Sequence, residues 1–270
     1  YSLDTTFNYT VVPIPADINP YGDDATSAMY AKAAQQIIAE TGITSGYCLV
    51  YGSGRGQLAL ELAKRTQLIV QGVDDDPKAI AEGRNILGKA GLYGDRITLV
   101  STESLDQLPF TSKYANLVVS DRALVEGEMP GTPLEVLRVL RPGGGIAYFG
   151  RPDSAKDGVA SQALNDWLGI TGDSFAVSQN TDGLWAKSVA PPLPNIGAWS
   201  HQYGDAANTS NSGDTLSGAG KTNEMRVQWL GRPGADFGID RNPRMPAPLS
   251  INGRLFHQGR LLLFGQVSNQ

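Results

Sequence analysis

The chain has one cysteine in 270 residues, Cys48, so it forms no intrachain disulfide and no cysteine-based metal cluster. Set among Tyr47, Leu49 and Val50, that thiol reads as part of a buried strand. Histidine is scarce as well: His201 and His257 have no partner at a ligand spacing, and no metal site is expected. Cations are outnumbered, 22 Lys and Arg against 27 Asp and Glu, and nowhere do they form a stripe. This argues against a nucleic-acid partner, because such binding draws most of its affinity from Lys and Arg neutralising phosphates. No apolar run approaches the roughly 18–20 residues of a membrane-crossing helix, so no membrane segment is expected. The opening Tyr1-Ser2-Leu3-Asp4 shows neither an initiator Met nor a signal-peptide pattern. It reads as the start of a fragment or processed chain, whose compartment is left open.

What is present is enough apolar material for a sizeable core, 41% of residues. Its arrangement changes at Pro191. Before that point apolar strands alternate with helical patterns; after it come Gly, Asn, Ser and Pro with short apolar pieces, and Pro191-Pro192-Leu193-Pro194 reads as a linker. Residues 24–41 carry a helical pattern through Met29, Ala33, Ile37 and Ile38, capped by Asp23 or Asp24 and closed by Gly42. Strands are predicted at Tyr47–Tyr51, Leu68–Val73, Ile97–Val100, Leu117–Val119 and Gly145–Phe149. Helices follow Gly56, run from Pro77 to about Lys89 and from Leu134 to Leu140, and cover about 155–169. Phe175–Ser178 and Leu184–Val189, separated by Asp182-Gly183, read as an antiparallel hairpin. Alternating β/α units closed by a hairpin predict an α/β fold, a doubly wound, mostly parallel sheet with antiparallel strands at one edge.

In such a sheet ligands bind beyond the carboxyl ends of the strands, where the strand order reverses. The first strand ends there in Gly52-Ser53-Gly54-Arg55-Gly56. A turn without Cβ atoms lets backbone N–H groups approach a ligand, and the next helix presents its positive end. The spacing is G-x-G-x-G, not the G-x-G-x-x-G of a dinucleotide site, since position 57 is Gln57. Asp74, closing the second strand, suits a bidentate hydrogen bond to ribose hydroxyls.

Five segments in order, Val50–Gly56, Gly72-Val73-Asp74, Leu108-Pro109-Phe110, Leu117–Ser120 and Arg138–Gly144, resemble the motifs of class I S-adenosylmethionine (SAM) methyltransferases. The resemblance implies a Rossmann-like seven-stranded sheet whose last two strands form the hairpin, with SAM as cofactor and a small molecule or protein as methyl acceptor. By motif position Gly52, Ser53 and Gly54 face the methionine part, Asp74 the ribose, and the region of Glu103 and Ser104 the adenine, while Ser120 and Asp121 line the mouth. The candidate cofactor-binding set is Gly52, Ser53, Gly54, Gly56, Asp74, Asp75, Glu103, Ser104 and Ser120. Two departures stand out. Val50 occupies the position, two before the first glycine, where the family usually has an acid. Ser120-Asp121-Arg122-Ala123 replaces the Asn-Pro-Pro-Tyr-type sequence of amide and nucleobase methyltransferases. No general base is identified, and a methyltransferase-like binding module without catalysis is the alternative.

Plainer roles compete at several positions. Asp74 suits a helix N-cap, Asp75 and Asp76 read as loop charges, and Asp121 with Arg122 reads as a solvated pair. Tyr148 and Trp185 read as strand packing. Beyond the linker, Trp199–Thr209 resembles the opening segment of quinoprotein-like (PQQ-repeat) β-propellers. Strands are expected at Met225–Trp229 and Leu261–Phe264, and on both sides of Asn252-Gly253. About 75 residues supply at most one or two blades, so the other blades would belong to a longer parent chain. The expected organisation is an extension over 1–22, a methyltransferase-like domain over 23–190, a linker over 191–198 and a small, partial all-β propeller-like segment over 199–270.

Overall fold

A computed structural model of the chain describes residues 19–224, 249–251, 254–256, 260–263 and 266–269; the strand expected at Met225–Trp229 lies outside them. The chain divides into two compact units, Tyr1–Ala190 and Pro191–Gln270.

The first unit is built on seven strands: β1 (Ser45–Tyr51), β2 (Gln67–Asp74), β3 (Ile97–Ser101), β4 (Leu117–Ser120), β5 (Ile146–Pro152), β6 (Ala176–Asn180) and β7 (Gly183–Val189), in the order β3-β2-β1-β4-β5-β7-β6. β1 to β5 pair in parallel. β7 runs antiparallel to both β5 and β6, so it is the single reversed strand of the sheet. The strand order reverses between β1, which pairs with β2 on one side, and β4 on its other side.

Helices cover both faces: α1 (Ala25–Thr41), α2 (Gln57–Arg65), α3 (Pro77–Lys89), the short α4 (Arg122–Val125), α5 (Pro133–Val139) and α6 (Ser161–Leu168). The pleat divides each strand between two cores. Cys48 and Val50 of β1 pack with Tyr30, Ala33 and Ile37 of α1 and Leu58 and Leu62 of α2. Leu49 and Tyr51 pack with Val136 and Val139 of α5 and Leu164 of α6. With both faces covered, the central strands are apolar almost throughout, as parallel sheets require. Tyr148 and Trp185 stack at 4.6 Å within the first core.

Local chemistry sets the ends of α1. The Asp24 side chain accepts the Ser27 N–H at 2.7 Å, and Gly42 ends the helix at φ 67°, where a residue with a Cβ is disfavoured. The helix expected over 155–169 is shorter, because the Val159 N–H is drawn to the Ala123 carbonyl of α4 at 2.8 Å instead of joining a helical ladder.

In the second unit, β8 (Leu249–Ile251) pairs antiparallel with β9 (Arg254–Phe256), and β10 (Arg260–Leu263) with β11 (Gln266–Asn269). Trp199 and Ser250 exchange two backbone hydrogen bonds of 2.7 and 2.8 Å. Among the described residues these are separate two-stranded sheets, and no four-stranded blade forms. No described helix is long and apolar enough to cross a membrane.

Candidate functional site

The turn after β1 holds three glycines in the left-handed region, Gly52 (φ 65°), Gly54 (φ 50°) and Gly56 (φ 85°). The three differ in surroundings. A Cβ on Gly52 would lie 3.0 Å from the Arg122 Cβ and 3.2 Å from the Pro130 Cβ, whereas around Gly54 nothing lies within 4 Å. Gly54 is therefore the glycine whose backbone a ligand can approach. Ser53 is fully buried; its N–H donates to the Val73 carbonyl at 3.0 Å, and a Cβ on Gly72 would lie 2.7 Å from the Ser53 Cβ. Its hydroxyl is thus packed against β2. Gly56 occupies the N-cap of α2 without a side chain to cap it.

Asp74 ends β2 almost fully buried. Its Oδ2 accepts the Gly54 N–H at 2.8 Å, and its Oδ1 accepts the Asp76 N–H at 2.9 Å and Arg122 Nη2 at 2.8 Å. The N-cap of α3 is Asp76, which accepts the Lys78 N–H, so Asp74 does not cap that helix and Asp76 is more than a loop charge. Arg122 Nη2 also donates to Asp75 Oδ1 at 2.6 Å, and its Nε lies 3.3 Å from Glu126. The hydrogen bond from Arg122 holds the Asp75 carboxyl below its ordinary range.

Asp121 and Arg122 are not a solvated pair. The register Tyr51↔Ser120 and the hydrogen bond from the Arg122 N–H to the Gly52 carbonyl, 3.0 Å, place both beside the glycine turn, where their side chains part. Arg122 reaches to β2. Asp121 turns into the α1–α2 face, 3% exposed, accepting the Tyr30 hydroxyl at 2.6 Å and the Leu58 N–H at 3.4 Å. Burial pushes its carboxyl up to about 7, against the hydrogen bonds from Tyr30 and Leu58. Burial and the adjacent Asp121 charge push the Tyr30 hydroxyl far above its usual range. Tyr21 lies over the same turn, its hydroxyl donating to the Arg55 carbonyl at 2.6 Å.

The remaining candidates fall into two groups. Glu103 and Ser104 are exposed in the loop after β3, which the Thr102 N–H ties to the Asp74 carbonyl at 3.0 Å. Ser120 is buried, and its hydroxyl accepts the Ala123 N–H of the first turn of α4 at 3.1 Å. Two further motif segments are tied together. Arg138 holds Glu135 through two 2.7 Å bonds and donates to the carbonyls of Phe110 (2.9 Å) and Leu108 (3.2 Å), while Glu135 accepts the Leu108 N–H at 2.8 Å. The sequence reading passed over Tyr30. Its signal was available: Tyr30, Ala33, Ala34 and Ile37 follow the i, i+3, i+4, i+7 spacing of a buried face. Among the described residues no cluster of His, Cys, Asp and Glu is arranged to hold a metal ion.

Residues 49–144 match the profile of the methyltransferase domain family. A crystal structure of a Methanococcus maripaludis protein described as an S-adenosyl-L-methionine-dependent methyltransferase is similar over 69% of this chain and 100% of its own length, with 20% identity and a TM-score of 0.55. A SAM-dependent methyltransferase from Aquifex aeolicus aligns over 63% of this chain and 98% of its own, with 14% identity and a TM-score of 0.46. No curated protein matches. The first unit therefore has the Rossmann-like methyltransferase fold, and the domain match falls on the segment that builds the glycine turn, Asp74, Asp121 and the Arg138 tie.

Proposed function

We propose that the first unit binds SAM at the carboxyl ends of β1, β2 and β4 and transfers its methyl group to a small molecule or a protein. The single observation that supports this most is the coincidence of the methyltransferase-domain match over residues 49–144 with a left-handed glycine turn bonded to a buried carboxylate. SAM supplies an electrophilic methyl group on a sulfonium. The chain supplies placement, which accounts for much of what methyl transfer needs.

The residues present fit that ligand. Gly54 leaves its surroundings open for a close backbone approach. Asp74 is held by the N–H groups of Gly54 and Asp76 and by Arg122, and release of Arg122 would free the two acceptor directions that a diol needs. Asp121 stands on the other side of the turn, a carboxyl that burial keeps protonated up to about pH 7. The exposed Glu103 and Ser104 follow the strand that pairs with Asp74 and are the candidates for the adenine edge. The test is calorimetric titration of the chain with SAM and S-adenosylhomocysteine, in parallel with Asp74→Ala. Micromolar binding that the substitution weakens tenfold or more supports the reading (roughly the worth of a hydrogen bond to a charged group). A folded protein that binds neither ligand at millimolar concentration overturns it.

A further inference from the structure

Tyr51 is the last residue of β1 and is fully buried. Its ring shares a core with Leu49, Val136 and Phe149, a place that an apolar ring fills as well; the hydroxyl does something packing does not require. It donates to the Leu105 carbonyl and accepts the Thr132 N–H at 3.1 Å. Burial pushes it above its ordinary range, so it stays protonated and keeps donating. Gly131, at φ 42°, sits so close that a Cβ there would overlap both the hydroxyl and the Leu105 carbonyl, and Trp167 Nε1 donates to the Gly131 carbonyl at 2.9 Å. One phenol thus joins the end of β1 to the segment after β3 and to the segment before α5. The first of these is pinned at both ends, by the Thr102 N–H on the Asp74 carbonyl, 3.0 Å, and by Tyr51 on Leu105. Between the pins lie the exposed Glu103 and Ser104. They are braced from within: the Thr102 hydroxyl donates to the Ser104 carbonyl at 3.1 Å, and the Ser104 hydroxyl accepts the Asp106 N–H at 3.1 Å. A two-residue edge held in this way is organised before any ligand arrives.

We propose that Tyr51 is a positioning residue for the nucleobase: through Leu105 it holds the Glu103–Ser104 edge in place, and so sets the discrimination between a base that presents an amino group and one that presents a carbonyl. The Glu103 carboxylate only accepts hydrogen bonds, so it pairs with the amino group of adenine and repels the carbonyl oxygen of hypoxanthine. Tyr51 itself touches no ligand. This rests on the nucleoside reading above and adds to it a residue that acts from behind the site. A hydroxyl that merely supports the fold weakens both nucleosides alike. One that positions the edge changes their ratio.

The experiment titrates two probes that differ in the base alone, S-adenosylhomocysteine and S-inosylhomocysteine. The unsubstituted chain should prefer the adenine ligand by roughly tenfold or more, the worth of one hydrogen bond to a charged group; equal affinity overturns the proposal. Tyr51→Phe keeps the ring and removes the hydroxyl. It should weaken S-adenosylhomocysteine roughly three- to tenfold, the cost of ordering a side chain at a binding site anew, and lower the preference by about the same factor, since S-inosylhomocysteine draws nothing from the edge. An unchanged preference overturns the proposal, whatever happens to the affinities. Trp167→Phe cuts a hydrogen bond on the far side of Gly131 and should leave the preference intact; its loss there would assign the discrimination to the packing of that segment and not to Tyr51. Should Tyr51→Phe fail to fold, amide exchange on the unsubstituted chain decides. Saturating S-adenosylhomocysteine should slow exchange of the Thr132 N–H, which Tyr51 holds, clearly more than it slows the amides of β5, and no excess at Thr132 overturns the proposal. If S-adenosylhomocysteine binds and these tests fail, only this inference fails. If neither probe binds, the nucleoside reading fails and takes this inference with it.

Discussion

Arg122 Nη2 lies 2.8 Å from Asp74 Oδ1, which closes off the carboxylate that the nucleoside reading needs. Asp74 already accepts from Gly54 and Asp76, so three of its four acceptor directions are in use. A diol needs two. Binding a ribose through both hydroxyls therefore requires Arg122 to let go, and Asp75 and Glu126 stand ready to hold the displaced guanidinium.

Arg122→Ala should therefore tighten 5′-methylthioadenosine, by about 1.5 kcal/mol or roughly tenfold, the low end of what a hydrogen bond to a charged group is worth. Titration of the variant checks the sign. Weaker binding would show that the guanidinium helps to hold the nucleoside.

Gly52 and Gly54 should respond differently to a side chain. Gly54→Ala meets only the cost of a left-handed backbone, on the order of 1–2 kcal/mol. Gly52→Val adds contact with Arg122 and Pro130, and should lower the thermal midpoint clearly more than Gly54→Ala does. Equal losses would count against the packing seen at Gly52.

Asp121 predicts a pH dependence of stability. Its folded-state pKa, about 7, lies above its ordinary 3.8, so between those values the folded chain holds a proton that the unfolded chain has released. Stability contributed by this group is present below about pH 4, falls as pH rises toward 7, and is lost above it. The full span is at most about 4 kcal/mol, from three pKa units. Tyr21, Tyr30, Arg55, Asp74 and Glu126 surround the site and set the field. Urea midpoints measured from pH 5 to 8 should fall for the unsubstituted chain relative to Asp121→Asn; parallel curves would remove the assignment.

Tyr51→Phe should cost about 1–3 kcal/mol, because the buried hydroxyl donates to the Leu105 carbonyl and accepts the Thr132 N–H at 3.1 Å, and both groups would lose their partner. Arg138→Ala should cost a similar amount, since it releases the carbonyls of Leu108 and Phe110 and unpairs Glu135. Denaturant midpoints check both.

Much of the first unit was legible in the sequence. Short apolar runs, helical patterns, Pro77, Gly42 and the Asp182-Gly183 turn act through local sterics and hydrogen bonding, so they specify elements whatever surrounds them. The alternation of those elements predicts a doubly wound sheet. Helix length was less legible where a distant carbonyl competes for an N–H, as Ala123 does for Val159.

The site divides along the same line. Local pattern alone determined that Gly52 to Gly56 is a turn and that Asp74 ends a strand. Which carboxylate is paired and which is left alone was decided by the tertiary fold. Asp121 and Arg122 are adjacent in the chain, yet the strand pleat and the α4 turn send one into a dry face with Tyr30 and the other across β1 to Asp74. Burial and counter-charge depend on residues 48 to 91 positions away, and no local pattern encodes them.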